Sequence, residues 1–176
     1  MAISILPIRR NLKFNLNPAK ALTWHRDGLN VSQFLNTMSL FFPVGERFFI
    51  DSVRHYRDQI TDSELKKAVT AFIGQEAHHS KEHKLLNGYL EERGVGLGRL
   101  DREIQAFMDW MRKKLSPERQ LAHTVAVEHF TALMAEEFLL KYDALDEMDP
   151  RMAPIWAWHA IEESEHKAVA FDVYKH

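Results

Sequence analysis

Two segments of the chain read Glu-x-x-His: Glu76-Ala-His-His79 and Glu163-Ser-Glu-His166. On a helix, residues three apart lie about 60° apart around the axis and about 4.5 Å along it, so such a pair can grip one metal ion, or its Glu can bridge two. A single match says little, because 15 Glu and 10 His in 176 residues give roughly one by chance. Cysteine is absent. Disulfides, thiolate metal sites, iron–sulfur clusters and cysteine nucleophiles are therefore excluded, and any metal must be held by His, Asp and Glu.

Placement carries the argument further. In dinuclear carboxylate bundles two helices each supply a Glu-x-x-His pair and the other two each supply one Glu. A lone Glu is thus expected on each remaining helix, at matching height. The first hairpin turns near Thr61, and Glu76 and Glu46 lie fifteen residues either side of it. At 1.5 Å per residue both sit about 22 Å from the turn. Glu163 pairs with Glu128 by the same count, about a midpoint inside the acidic stretch Asp143–Pro150. One pattern repeats: Glu46 with Glu76-x-x-His79, then Glu128 with Glu163-x-x-His166. His159 stands four residues before Glu163 and seven before His166, on the same helix face. It is a candidate seventh ligand that biases one metal towards nitrogen donors. His83 shares the face of Glu76 but lies about 10.5 Å from it along the axis, which suits the cavity wall or the layer behind the ligands. Gln75 and Glu162 precede the two motif glutamates, rotated about 100° from them, where they can accept from a metal-bound imidazole. Glu162 is expected to hydrogen-bond His79. His25, His55, His78, His123, His129 and His176 read as surface or packing residues.

The elements that must position these groups are helices. Gly and Pro together are 13 of 176 residues, below average usage, and no period-two strand pattern is sustained. Residues 1–30 read as an irregular arm, with Ile3, Ile5 and Ile8 in an extended stretch. Ser32 can cap a helix towards Gln59, with Pro43 expected to kink or restart it. Asp62 or Ser63 caps a second helix, Glu64 to Arg93, ended by Gly94. A short helix follows, Leu100 to Leu115, with Ile104, Phe107, Met108 and Met111 on one face. Ser116-Pro117 opens a third long helix towards Tyr142, and a fourth runs from about Arg151 to the chain end. The fold expected is an all-α, ferritin-like four-helix bundle over residues 31–176. Its roughly 23-residue crossover should leave the second and third long helices parallel. The stripe Phe41, Phe42, Phe48, Phe49, Phe72, Phe130, Leu133, Met134, Phe138, Trp156 and Trp158 reads as core, part of which can wall a hydrophobic pocket.

Net charge is −2 with both signs well mixed, so nucleic acid is not an expected partner. No run of 18 apolar residues suggests a transmembrane helix. The N-terminus does not read as a secretory signal, and a cytoplasmic location is expected. Walker-type loops and nucleophile elbows are absent.

The runs FPVGERFFIDSVRHYRDQI, FIGQEAHHSKEH and WHAIEESEHKAVAFDVY resemble the bacterial family described as predicted metal-dependent hydrolases, over about residues 30 to 176. The resemblance implies a ferritin-like metal-binding bundle. Members of that family continue beyond the last motif, so a C-terminally truncated or short member is expected. The ligand pattern is also similar to that of the di-iron arylamine N-oxygenases, where an extra His stands four residues before the Glu of the second Glu-x-x-His. Glu46, Glu76, His79, Glu128, His159, Glu163 and His166 match that set one by one.

The leading expectation is a di-iron enzyme that activates dioxygen to oxidise a small hydrophobic substrate, with a homodimer as its assembly. Glu76 and Glu163 would bridge or chelate, His79 and His166 would each hold one iron, and Glu46 and Glu128 would be terminal. The alternatives are a dinuclear hydrolase using Zn, Mn or Fe to activate water, and a non-enzymatic metal-binding bundle.

Overall fold

Asp62 stops one helix and starts the next: its Oδ1 accepts from the backbone N–H groups of Glu64 and Leu65, satisfying donors that a helix start leaves orphaned. The computed structural model describes residues 6–137 and 144–176. The helix end expected near Tyr142, the core role of Phe138, Asp143 at the head of the acidic turn, and Ile3 and Ile5 lie outside the described residues. Within them the chain forms α1 (Leu29–Arg54), α2 (Ser63–Glu92), α3 (Gly98–Lys114), α4 (Pro117–Met134), α5 (Ala153–His166) and α6 (Val169–Lys175). No strand is present among the described residues, and the fold is an all-α bundle.

The contacts give the helix directions. Ser39 meets Asn87, Glu46 meets Ser80 and Arg57 meets Thr70, so α1 and α2 are antiparallel. Ser52 meets Thr124, while Leu35 and Met38 share a pocket with Thr131 and Met134, so α1 and α4 are antiparallel too. Hence α2 and α4 run parallel, as expected. Helix α3 packs on α1, with Arg112 against Asp51 and over the Phe48 ring. At 17 residues it is about 25 Å long, enough to carry the chain back along the bundle.

Several local expectations are corrected. Helix α1 begins at Leu29, after Gly28 at φ 94, and Ser32 does not cap it from outside. The Ser32 hydroxyl lies within the first turn, where it accepts from the N–H groups of Trp24 and His25 and donates to the Gly28 carbonyl. The helix also runs unbroken through Pro43 to Arg54. Proline removes one hydrogen bond, but Pro43 and its neighbours Val44 to Glu46 are buried against other helices, and that packing holds the segment helical. The last helix is instead interrupted at Lys167–Ala168, directly after His166. Gly94, at φ 82, ends α2 as expected, and Ser116 caps α4. Phe107 does not join the buried face of α3. It is half exposed and stacks on Trp110, while Ile104 and Met111 are buried.

Two large apolar clusters fill the bundle, and a small third one gathers Ala21, Leu90 and Leu97. One, around Phe48, Val53, Phe72, Leu121 and Val173, sits at the end of the α1–α2 turn. The other, around Trp24, Leu35, Leu86, Met152, Ile155 and Trp156, sits at the opposite end. Phe41, Phe130, Leu133 and Met134 lie outside both and are exposed. The charged residues singled out above lie between the two clusters.

Candidate metal centre

All seven residues nominated by spacing meet at mid-height in the bundle. Glu46, Glu76, His79, Glu128, His159, Glu163 and His166 are buried and form three interlocking triads. These are Glu46–His79–His159, Glu76–His79–Glu163 and Glu76–Glu128–His166, each with one atom per residue lying within 4.8 Å of the others. His166 Nε2 is 2.9 Å from Glu76 Oε1, 3.2 Å from Glu128 Oε2 and 3.4 Å from Glu163 Oε1. Glu163 Oε1 is also 3.1 Å from His159 Nε2 and 3.7 Å from His79 Nδ1. One carboxylate therefore touches all three imidazoles, while Glu46 reaches His159 at 3.7 Å.

The outer face of each imidazole is fixed. His79 Nε2 is 3.1 Å from Glu162 Oε2, as expected of Glu162. His166 Nδ1 is 3.0 Å from Gln75 Oε1. The amide of Gln75 donates to Glu165 and to the Ile8 carbonyl, so its oxygen is the atom turned to His166. Both imidazoles thus carry a proton on the outer nitrogen and aim the other at the carboxylates, the arrangement of a metal-bound histidine with its supporting acceptor. A third chain supports His159. Its Nδ1 is 2.8 Å from His83 Nε2, and His83 Nδ1 is 2.8 Å from Ser39 Oγ, which donates to Asn87 Oδ1 at 2.7 Å. With a cation at His159 Nε2, every proton in that chain has an acceptor. His83 is a support, as its height along α2 predicted. His78 bonds the Leu12 carbonyl, and His129 is exposed.

The polar atoms left over decide what the cluster fits. Eight of its atoms are buried with no hydrogen-bond partner: Glu46 Oε1, both oxygens of Glu76 and Glu128, Glu163 Oε2, His79 Nδ1 and His166 Nε2. Buried polar atoms are nearly always paired, and buried carboxylates that face one another repel. Six oxygens and two nitrogens that crowd together at ion-pair distance without well-formed hydrogen bonds form a donor set for hard or borderline cations. Proton positions show the same tension. Burial pushes Glu46 and Glu76 well above the ordinary carboxylate range, with neighbouring carboxylates adding to it, and raises Glu128 to about 7. Burial also opposes charge on Glu163 and His166, yet their contact wins: Glu163 is held well below its ordinary range and His166 well above. Burial and the neighbouring His159 keep His79 neutral. Without a cation the cluster is thus balanced by protons, and cation binding must displace them.

Three groups escaped the sequence reading. Ser80 donates to Glu46 Oε2, and nothing in its spacing marks it. Glu165 could have been found, since it precedes His166 as Glu162 precedes Glu163, and the same rotation argument applies. Arg10, in the arm, bonds both Glu162 and Glu165. No local pattern joins it to residues more than 150 positions away.

A family model described as "Predicted metal-dependent hydrolase" matches residues 8–176. The chain belongs to that family. The predicted metal-dependent hydrolase model covers the arm from residue 8 onward as well as every residue of the cluster, and metal dependence agrees with the converging His and Glu side chains. The family's description names hydrolysis and lends no support to an oxidase or oxygenase. No curated protein and no solved structure matches the chain. Among the described residues, no helix is long and apolar enough to cross a membrane.

Glu162 offers a direct check on the outer contacts. Glu162→Gln replaces the carboxylate that His79 meets by a weaker acceptor, and metal retention should fall about 10–100-fold, as is typical when an outer partner of a ligand is lost. Wild-type retention in a metal competition assay would show that the Glu162–His79 contact does not orient a ligand.

Proposed function

We propose that the chain is a dinuclear metal enzyme acting on a small hydrophobic molecule, with two iron ions that activate dioxygen. Glu46, His79 and His159 would hold one ion, Glu128 and His166 the other, and Glu76 and Glu163 would bridge. The observation that carries the reading is the pocket beside this cluster. His159 and Glu163 form part of its wall; among the described residues Thr131 adds a hydroxyl, and Leu35, Met38, Phe42, Met134 and Trp156 line much of the rest. Its volume is about 180 Å³, against the roughly 150 Å³ apolar cavity that takes up benzene. A substrate the size of one aromatic ring fits, held by burial and set against His159 and Glu163. The walls are almost wholly apolar and give water little to bind beside the reacting group. Among the described residues that line the pocket, only the two assigned as ligands carry a titratable side chain, so those residues offer no separate acid to a leaving group, which favours oxidation over hydrolysis.

The family description favours the second reading, a hydrolase in which two Zn, Mn or Fe ions activate water and polarise the scissile bond. One experiment separates them. Metal-free protein is loaded anaerobically with ferrous iron and exposed to oxygen, and in parallel loaded with zinc or manganese and given a panel of small apolar esters and amides. Oxygen uptake in proportion to bound iron, with an altered optical spectrum, supports the first. No uptake beyond free iron, with metal-dependent ester or amide cleavage, replaces it by the second.

A further inference from the structure

The arm before α1 is stitched to the metal cluster through one side chain. Arg10 Nη1 lies 3.3 Å from Glu162 Oε1 and 2.9 Å from Glu165 Oε2, and its Nη2 lies 2.5 Å from Glu165 Oε1. The far oxygen of Glu162 meets His79. Glu165 accepts from the Gln75 amide, whose oxygen meets His166. Two paths therefore leave one guanidinium and end on the two Glu-x-x-His imidazoles, one through a single carboxylate and the other through a carboxylate and an amide. The histidines they reach belong to different triads.

The rest of the arm is laid down around this contact. The Ile8 N–H donates to Glu165 and its carbonyl accepts from Gln75 and Arg10. The Leu12 carbonyl meets His78. Phe14 packs on Trp158, which itself lies edge-on to His79. The approach is close enough that a Cβ on Gly74 would meet Arg9 Cδ at 3.0 Å.

The geometry points to Arg10 as the positioning residue common to both metal positions, so that seating of the arm and filling of the dinuclear site are linked. Lysine could not replace it, because a single ammonium lacks the planar fork that grips Glu165 with two nitrogens while reaching Glu162. By linkage, whatever loosens the arm weakens both metals, and metal binding tightens the arm. The inference rests on the metal-binding reading above but not on which reaction the metals serve.

The test uses the full chain and cobalt(II) alone as the probe. Wild type should bind two cobalt ions, read by calorimetry and by visible absorption. Arg10→Met, which keeps an unbranched apolar stem and removes the guanidinium, should keep wild-type helical circular dichroism. It should lose affinity about 10–100-fold at both positions, the usual scale for an outer partner. Equal affinity in the variant, or a loss confined to one position, overturns the common anchor and leaves the metal site standing. A wild-type chain that binds no cobalt overturns the metal reading itself. Limited trypsin digestion of wild type covers the case in which Arg10→Met does not fold. Cobalt should slow cleavage after Lys13 more than cleavage after Arg99, which is exposed at the start of α3. Equal slowing at the two positions overturns the linkage.

Discussion

Metal-free protein carrying Glu76→Gln should melt at a higher temperature than metal-free wild type near neutral pH, and at a lower one once metal is added. The sign follows from the net shift of Glu76, in which burial outweighs the opposing contact with His166. Burial, with Glu128 and Glu163 nearby, raises its folded-state pKa well above its ordinary value of 4.5. The unfolded chain therefore gives up that proton at lower pH than the folded chain does. Wild-type stability should fall as pH rises from about the ordinary value towards the raised one, and a glutamine of the same shape removes this liability. Below the ordinary value both side chains are neutral and the two proteins should melt together. Metal reverses the order, because Glu76 belongs to two of the three triads and its loss weakens both positions. The drop in affinity should exceed the roughly 10–100-fold typical of an outer partner. Melting curves across pH, with and without cobalt(II), read both arms. A metal-free variant less stable than wild type at neutral pH would mean that Glu76 pairs with His166 as a structural ion pair.

The cluster could be read from the sequence because helices convert spacing into geometry. Counting fifteen residues either side of Thr61 brought Glu46 to the level of Glu76, and Ser80 Oγ now sits 2.8 Å from Glu46 Oε2. The count works only if α1 and α2 are regular, and α1 stays regular through Pro43 because the buried packing around it outweighs one missing hydrogen bond. The parallel course of α2 and α4 was legible for a similar reason: a connection of that length with its own apolar face has to lie along the bundle. What was hidden depends on tertiary contact. The arm has no periodicity, so nothing in it signalled that Arg10 would reach Glu162 and Glu165. The break after His166 was also invisible, since EHKAVAFDVY contains neither glycine nor proline. Phe107 failed the helix-face rule because α3 covers only one side of the bundle, and Trp110 gives it a stacking partner at the surface.

Plugging the pocket should remove substrate and spare the metals. Ala160 is buried on α5 and lines the cavity between Phe42, Trp156 and Glu163. A phenylalanine there occupies the space proposed for the substrate ring. Burying a ring of that size is worth about 1.5–3 kcal/mol, so Ala160→Phe should weaken binding of a one-ring substrate by roughly 10–150-fold. Metal content and the cobalt spectrum should stay as in wild type, because Ala160 faces the cavity and belongs to none of the ligand triads. Overpacking can cost about 1–3 kcal/mol of stability. Met134→Trp provides a second plug at the partly exposed rim of the same cavity, where a larger side chain can lean outwards. Steady-state assays with one-ring and smaller substrates would separate the effects: a filled pocket raises KM for the ring while leaving the smaller substrate nearly untouched. Equal loss for both, with metal retained, would mean that the substrate reaches His159 and Glu163 from another side, and the cavity between α1, α4 and α5 would no longer be the substrate site.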